Sequence, residues 1–254
     1  MTPPPDATDP ERSADALARL TFNCPLSSPR GYALIEELGL IHGARVGDLG
    51  CGWAELLLRA LERVSGTTGE GIDIDEAGIA RGRRNALERG LAGRVALEQG
   101  DAGGWTARIG AFDALLCVGS SHALGGTEQA LVAVRRMLRQ DGRALFGEGF
   151  WTVPPTPAAL TALTAARDDL TDMEGLTERA QTAGLRVLSA DAATQDEWDD
   201  FQSLSQAGLR DVARAQAGTP AGQETLLLAE KRRAVYEDGY RGVLGFAFLV
   251  LAAA

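Results

Sequence analysis

The sequence predicts an α/β fold built on a parallel sheet, and three observations carry that prediction. From Ala44 onward short apolar runs alternate with amphipathic stretches, the pattern that right-handed βαβ crossovers leave in a chain. The first apolar run breaks at Asp48 into a turn containing Gly50 and Gly52. Three acids, Asp48, Asp73 and Asp101, each fall at or just after the carboxyl end of a predicted strand, the edge at which open parallel sheets bind ligands.

Taken in order, residues 1–12 are rich in proline and acid and read as a frayed tail, without the cationic start and apolar run of a signal peptide. Apolar spacing predicts helices over Ser13–Leu20 and Pro29–Leu40, separated by a polar elbow, Phe22-Asn23-Cys24-Pro25-Leu26-Ser27-Ser28. Strand and helix then alternate: Arg45–Leu49, Trp53–Val64, Gly69–Ile74, Glu76–Arg89, Arg94–Gln99, Phe112–Val118, Gly126–Arg139 and Gly142–Gly147. Gly142 stands where the turn ending a helix is wanted. Pro154, Pro155 and Pro157 force a break, after which Ala158–Leu170 and Met173–Ala183 read as helices and Leu185–Ala190 as a sixth strand. Helices over Gln195–Ala217 and Gln223–Glu237 form an insertion before a terminal strand, Val243–Leu251. The expected organisation is one domain: an N-terminal helical cap over 13–42, a ligand-binding core over 43–190, a helical lid over 191–241 and a last strand in 242–254.

Composition narrows the function classes. The formal charge is -10 and Lys231 is the one lysine, so no cationic stripe for neutralising phosphates is present and a nucleic-acid substrate is not expected. The most apolar stretch, Val243–Ala254, falls short of the roughly 20 residues that cross a bilayer and reads as a buried strand. Cys24, Cys51 and Cys117 are far apart, without a CxxC pair, and His42 and His122 are the only imidazoles; neither a disulfide framework nor a metal site is expected, and a reducing cytoplasm fits.

Gly50 and Gly52 lack the Cβ atoms that would hold a ligand off the backbone, and the following helix points its first N–H groups at the same place. Asp73 follows at the spacing of an acid that grips a ribose in a nucleotide-binding βαβ unit. Asp101 can accept from an adenine amine. A nicotinamide-dinucleotide site shares the glycine turn and the second-strand acid, but it wants a small residue where Glu55 stands.

Val46-Gly47-Asp48-Leu49-Gly50-Cys51-Gly52, then Gly71-Ile72-Asp73-Ile74-Asp75, then Gln99-Gly100-Asp101-Ala102, in that order, resemble the class I S-adenosylmethionine-dependent methyltransferases. Weaker similarity to bacterial small-molecule members runs through Asn23-Cys24-Pro25-Leu26-Ser27, Cys117 to His122 and Gly147 to Trp151. The resemblance implies a Rossmann-like seven-stranded sheet of order 3-2-1-4-5-7-6 with strand 7 antiparallel and helices on both faces. It implies S-adenosylmethionine as cofactor, with Asp48, Gly50, Cys51 and Gly52 around its methionine part, Asp73 on the ribose, Ile74 against the adenine, Asp101 with Ala102 at the adenine edge, and Gly119 lining the methyl-transfer opening.

His122 and Glu148 follow predicted strands four and five and are candidate general bases; each equally fits a structural role, as a cap or an ion-pair partner. Asn23 and Trp151 are candidate acceptor contacts, with Trp53 and Phe150 as possible apolar walls and Trp198 and Tyr240 in the lid. The expected activity is methyl transfer to an O, N or C atom of a small molecule by a monomer or homodimer. A sensor or interaction subunit that binds the cofactor without transferring methyl groups is the other class consistent with the sequence.

Overall fold

A computed structural model describes residues 15–253. The tail over 1–12 and the first residues of the predicted helix at Ser13 lie outside them. Seven strands, β1 (Arg45–Leu49), β2 (Thr68–Asp73), β3 (Val95–Gln99), β4 (Phe112–Val118), β5 (Leu138–Trp151), β6 (Leu185–Ala192) and β7 (Leu244–Ala253), form one sheet of order β3-β2-β1-β4-β5-β7-β6. The β1–β2, β1–β4, β2–β3 and β4–β5 pairs are parallel, and β6–β7 is antiparallel. The helices are α1 (Ser28–Glu37), α2 (Glu55–Arg63), α3 (Glu76–Glu88), α4 (Thr127–Met137), α5 (Pro157–Leu163), α6 (Met173–Thr182), α7 (Gln195–Ala215) and α8 (Pro220–Ala234).

The described residues divide into two compact units. The sheet unit comprises Ser27–Phe150, Thr171–Ala192 and residues from Phe246 on. Its core gathers Leu49, Ile72, Phe112, Leu115, Val134, Phe146, Leu249 and Leu251 around the sheet, all essentially buried. Central strands read as near-continuous apolar runs because both faces are covered, and β7 is buried along eight consecutive residues. The helical unit comprises described residues up to Leu26, Trp151–Leu170 and Ala193–Gly245, with a small core of Ala16, Leu209 and Ala229.

Local sequence explains most element starts. Ser27, Asp75, Thr156, Asp172, Thr194 and Thr219 each cap a helix by accepting a backbone N–H of the first turn. Thr194 and Glu197 form a reciprocal capping box at α7.

Three expected elements differ. Residues 15–19 form turns held by Ala18 N–H to Asp15 O and Leu20 N–H to Leu17 O, not an α-helix, because a segment cut short by the elbow cannot repay helix nucleation. The predicted helix over Ala158–Leu170 stops at Leu163, where Thr164 turns left-handed with φ 51°, and only a short 3-10 turn over Arg167–Asp169 follows. Gly142 does not end a helix: α4 stops at Met137 because Leu138 is drawn into the sheet opposite Phe112, and the strand irregularity before Arg143 absorbs the intervening residues.

Candidate functional site

The first site element is the turn after β1. Asp48 is 6 % exposed, and its carboxylate has no hydrogen-bond or ion-pair partner among the described residues. Burial first, then the charge of Asp73, pushes its pKa up to about 8. The turn is pinned from beneath by Gly50 and Cys51 N–H groups that both donate to Ile72 O. Gly50 has φ +68°, and a Cβ there would sit 2.3 Å from Ser120 Cβ, so both backbone and space require glycine. Gly52 has φ +53° and open space where its Cβ would go. Its N–H donates to Asp73 Oδ2 at 2.6 Å, and Asp75 N–H donates to Asp73 Oδ1 at 2.9 Å, so the turn and the second-strand acid form one rigid piece. Cys51 is a half-buried thiol with its pKa raised, chiefly by desolvation and then by Asp48 and Asp73, which makes it a packing residue rather than a nucleophile.

Helix α2 begins at Glu55, not Trp53, because Ala54 before it is left-handed with φ 57°. Glu55 is 8 % exposed and accepts from Arg59 Nε at 2.7 Å and Arg89 Nη2 at 2.6 Å. A buried carboxylate with two guanidinium partners thus occupies the position where a dinucleotide fold wants a small residue. Trp53 is buried under the Arg81 guanidinium, 4.1 Å from its ring centroid.

Ile74 is half exposed just past β2, an apolar surface offered to a flat group. Asp101 is exposed and caps a 3-10 turn over Ala102–Ala107 by accepting from Gly103 N–H at 2.9 Å; Ala102 is buried beside it. Asp101-Ala102 followed by Gly103 and Gly104 reads in the sequence as an ordinary turn, and the structure forms one there. Gly119 is left-handed with φ +71°, donates its N–H to Gly147 O and faces Phe246 Cζ at 3.6 Å from its Cβ position.

His122 is exposed in a 3-10 turn over Ser121–Leu124. Glu148 is half buried, accepting from Thr127 Oγ1 at 3.2 Å and Gly149 N–H at 3.0 Å. Ser120, to which the sequence reading gave no role, packs under Gly50, donates its hydroxyl to Leu49 O and lies 3.4 Å from Cys117 Sγ, so it braces the first and fourth strand ends together. In the helical unit, Asn23 is exposed, and the buried Trp151 donates its indole N–H to Arg167 O at 2.9 Å. Phe150 belongs to the sheet core. Among the described residues no group of three or more His, Cys, Asp and Glu can hold a metal ion, and the three thiols are free. No helix among them is long and apolar enough to cross a membrane.

Residues 46–142, which contain this turn, both acids of β1 and β2 and Asp101, match a family model described as a methyltransferase domain. Over those residues the chain is similar to methyltransferase domains. The sheet order and the antiparallel last strand are those that the resemblance implies. A crystal structure of an S-adenosylmethionine-dependent methyltransferase from Geobacter sulfurreducens in complex with S-adenosyl-L-homocysteine is 26 % identical, with a TM-score of 0.87 over 95 % of this chain and 97 % of that one. The corresponding protein from Thiobacillus denitrificans, also in complex with S-adenosyl-L-homocysteine, is 27 % identical, with a TM-score of 0.86 and the same coverage. A ubiquinone/menaquinone biosynthesis C-methyltransferase from Stutzerimonas stutzeri is 32 % identical over 113 residues. That match spans 44 % of this chain and 44 % of the relative's length.

The donor set fits S-adenosylmethionine. Asp48 is a buried, unpartnered carboxylate suited to an ammonium, the space above Gly52 is open, Asp73 is fixed at the adjoining strand end, and Ile74 offers an exposed apolar face.

Proposed function

We propose that the chain transfers a methyl group from S-adenosylmethionine to an O, N or C atom of a small molecule. The observation that supports this most directly is the unpartnered, buried Asp48 beside Asp73, because two carboxylates held together with no cation among the described residues call for a cationic ligand. In this reading Asp48 holds the amino-acid end, Gly50, Cys51 and Gly52 let the backbone approach, Asp73 accepts from the ribose hydroxyls, Ile74 and Ala102 flank the adenine, Asp101 meets its amine, and Gly119 leaves room where the acceptor arrives. The cofactor supplies a methyl on a positively charged sulfur, already activated for in-line displacement. The protein's part is to fix the approach and exclude water.

If the acceptor must lose a proton, His122 or Glu148 is the base. Glu148 accepts from Thr127 Oγ1 and Gly149 N–H, whereas His122 is open to solvent. Asn23 and Trp151 are assigned to the acceptor side. Small-molecule acceptors rather than nucleic acids are supported by the net charge of -10, and a cytoplasmic location by three free thiols.

Calorimetry with S-adenosylmethionine on the intact chain and on Asp73→Ala tests the donor site. The expected result is a loss of at least tenfold in affinity; unchanged affinity removes the ribose assignment. Release of S-adenosylhomocysteine in the presence of an acceptor separates an enzyme from a cofactor-binding sensor, which binds without turnover.

A further inference from the structure

The register between β1 and β4 stops short of the strand ends. It runs from Val46 opposite Ala114 to Asp48 opposite Leu116, whereas β4 stays paired with β5 as far as Val118 opposite Gly147. β1 and β4 are the neighbours at which the strand order turns back, with β2 on one side and β5 on the other, and a sheet of this kind parts there into the crevice that takes a ligand. The glycine turn follows β1 on one side of the parting, and Gly119 follows β4 on the other. On its β2 side the turn is tied by backbone: Gly50 and Cys51 N–H groups donate to Ile72 O, and Gly52 N–H donates to Asp73. On its β4 side Ser120 takes over where the ladder ends. Its hydroxyl donates to Leu49 O, the next carbonyl along β1 after the last paired residue, and its Cβ packs against Gly50. Leu49 is fully buried and Ser120 is 5 % exposed, so a carbonyl deprived of that donor would stay out of contact with bulk water.

The hydroxyl is itself held in place. Gly119 N–H donates to Gly147 O, which ties the chain just before Ser120 to β5, and Ala123 N–H donates to Ser120 O, which opens the 3-10 turn after it. Cys117 Sγ lies 3.4 Å from Ser120 Oγ. Burial pushes that thiol up to about 12, so it keeps its hydrogen, and with the Ser120 hydrogen spent on Leu49 O the thiol is the donor of the pair. Cys117, Ser120 and Leu49 thus form a buried relay of hydrogen bonds from β4 to β1, and all three lie in the sheet unit.

We propose that Ser120 is a positioning residue for the methyl donor: it fixes the spacing between the turn after β1 and the end of β4, and with it the recognition of the donor's amino-acid end. The proposal deepens the S-adenosylmethionine reading above and rests on it. Ser120 acts through Leu49 and Gly50, the residues that follow Asp48. The nucleoside end is assigned to residues at the ends of β2 and β3 that keep ties of their own: Asp73 accepts from Asp75 N–H and Asp101 from Gly103 N–H. Loss of the strut therefore reaches one end of the donor and spares the other.

Calorimetry with S-adenosyl-L-homocysteine and with 5′-methylthioadenosine, which keeps the nucleoside and the sulfur and lacks the amino acid, separates the two ends. Ser120→Ala is expected to weaken S-adenosyl-L-homocysteine by about tenfold or more and 5′-methylthioadenosine by less than about twofold. Ser120→Cys, measured under reducing conditions, places a weaker donor at the same position and is expected to recover part of the lost affinity. It carries the same two-ligand comparison if Ser120→Ala does not fold. A change that only destabilised the sheet would weaken both ligands in the same proportion. Equal losses for the two ligands, an S-adenosyl-L-homocysteine affinity that does not move, or a Ser120→Cys protein that binds no better than Ser120→Ala overturns the proposal while the cofactor reading stands. A native chain that binds neither ligand removes the cofactor reading and the proposal with it.

Discussion

At Asp48, folding raises a carboxyl pKa from about 3.9 in the unfolded chain to about 8. The folded state therefore binds a proton that the unfolded state has released between those values. Stability of the ligand-free protein falls as pH rises through that window, with a slope approaching 1.4 kcal/mol per pH unit at ~25 °C. Thermal melts from pH 5 to 8 are expected to show this decline, and Asp48→Asn to flatten it; parallel pH profiles for the two proteins would remove the assignment. The glycines of the same turn separate folding from binding. Gly50→Ala meets Ser120 Cβ at 2.3 Å and a left-handed backbone, so a loss of about 2–4 kcal/mol is expected in denaturant titration. Gly52→Ala meets open space and is expected to lose only about 1 kcal/mol, from backbone strain, while S-adenosylmethionine affinity falls at least tenfold in calorimetry. The identities of these residues were legible in the sequence because spacing alone marks a glycine turn and the acids after the strands. Ser120 was not, since its partners at Gly50 and Leu49 lie across the sheet and no local pattern records a contact between strand ends.

Among the elements, the strands were read best, since an apolar run between turn residues has few other meanings; β1 and β4 coincide with the predicted Arg45–Leu49 and Phe112–Val118. Errors collected where tertiary contacts override local preference, as at Leu138, which leaves helical spacing to pair with Phe112. The burial of Gln202, Ser205 and Gln206 on α7 was invisible for a related reason: Gln and Ser at helical spacing look like a solvated face until burial is known. Packing of the segment before α1 depends on one position in α7. A Cβ at Gly208 would sit 1.9 Å from Ala16 O, and backbone cannot yield as a side chain does, so Gly208→Ala is expected to destabilise by about 2 kcal/mol. The same change is expected to expose residues 15–26 to limited proteolysis, and an unaltered cleavage pattern with unaltered stability would contradict this packing.

For the whole molecule, the parallel sheet and its antiparallel closing strand followed from the strand–helix alternation together with the family resemblance, whereas the division into two units did not, because each unit is assembled from separated stretches of chain. Glu55 shows how a single buried charge ties distant elements: it joins Arg59 on α2 to Arg89 after α3. Removing it takes a carboxylate from both guanidinium groups, although Arg89 keeps Glu62, and Glu55→Ala is expected to cost about 3 kcal/mol, read as a lowered midpoint in urea, with Glu55→Gln costing less. β7 matters at this scale as well. It lies between β5 and β6, so β6 has no neighbour in the sheet until β7 is in place. During synthesis, residues 185–192 leave the ribosome well before residues 244–253, at a translation rate of about 5–20 residues per second. For that interval β6 is an unpaired edge carrying Leu185 and Val187, and the nascent chain cannot complete its sheet however well its first five strands have folded. Folding of this sheet is thus timed by the emergence of its last strand.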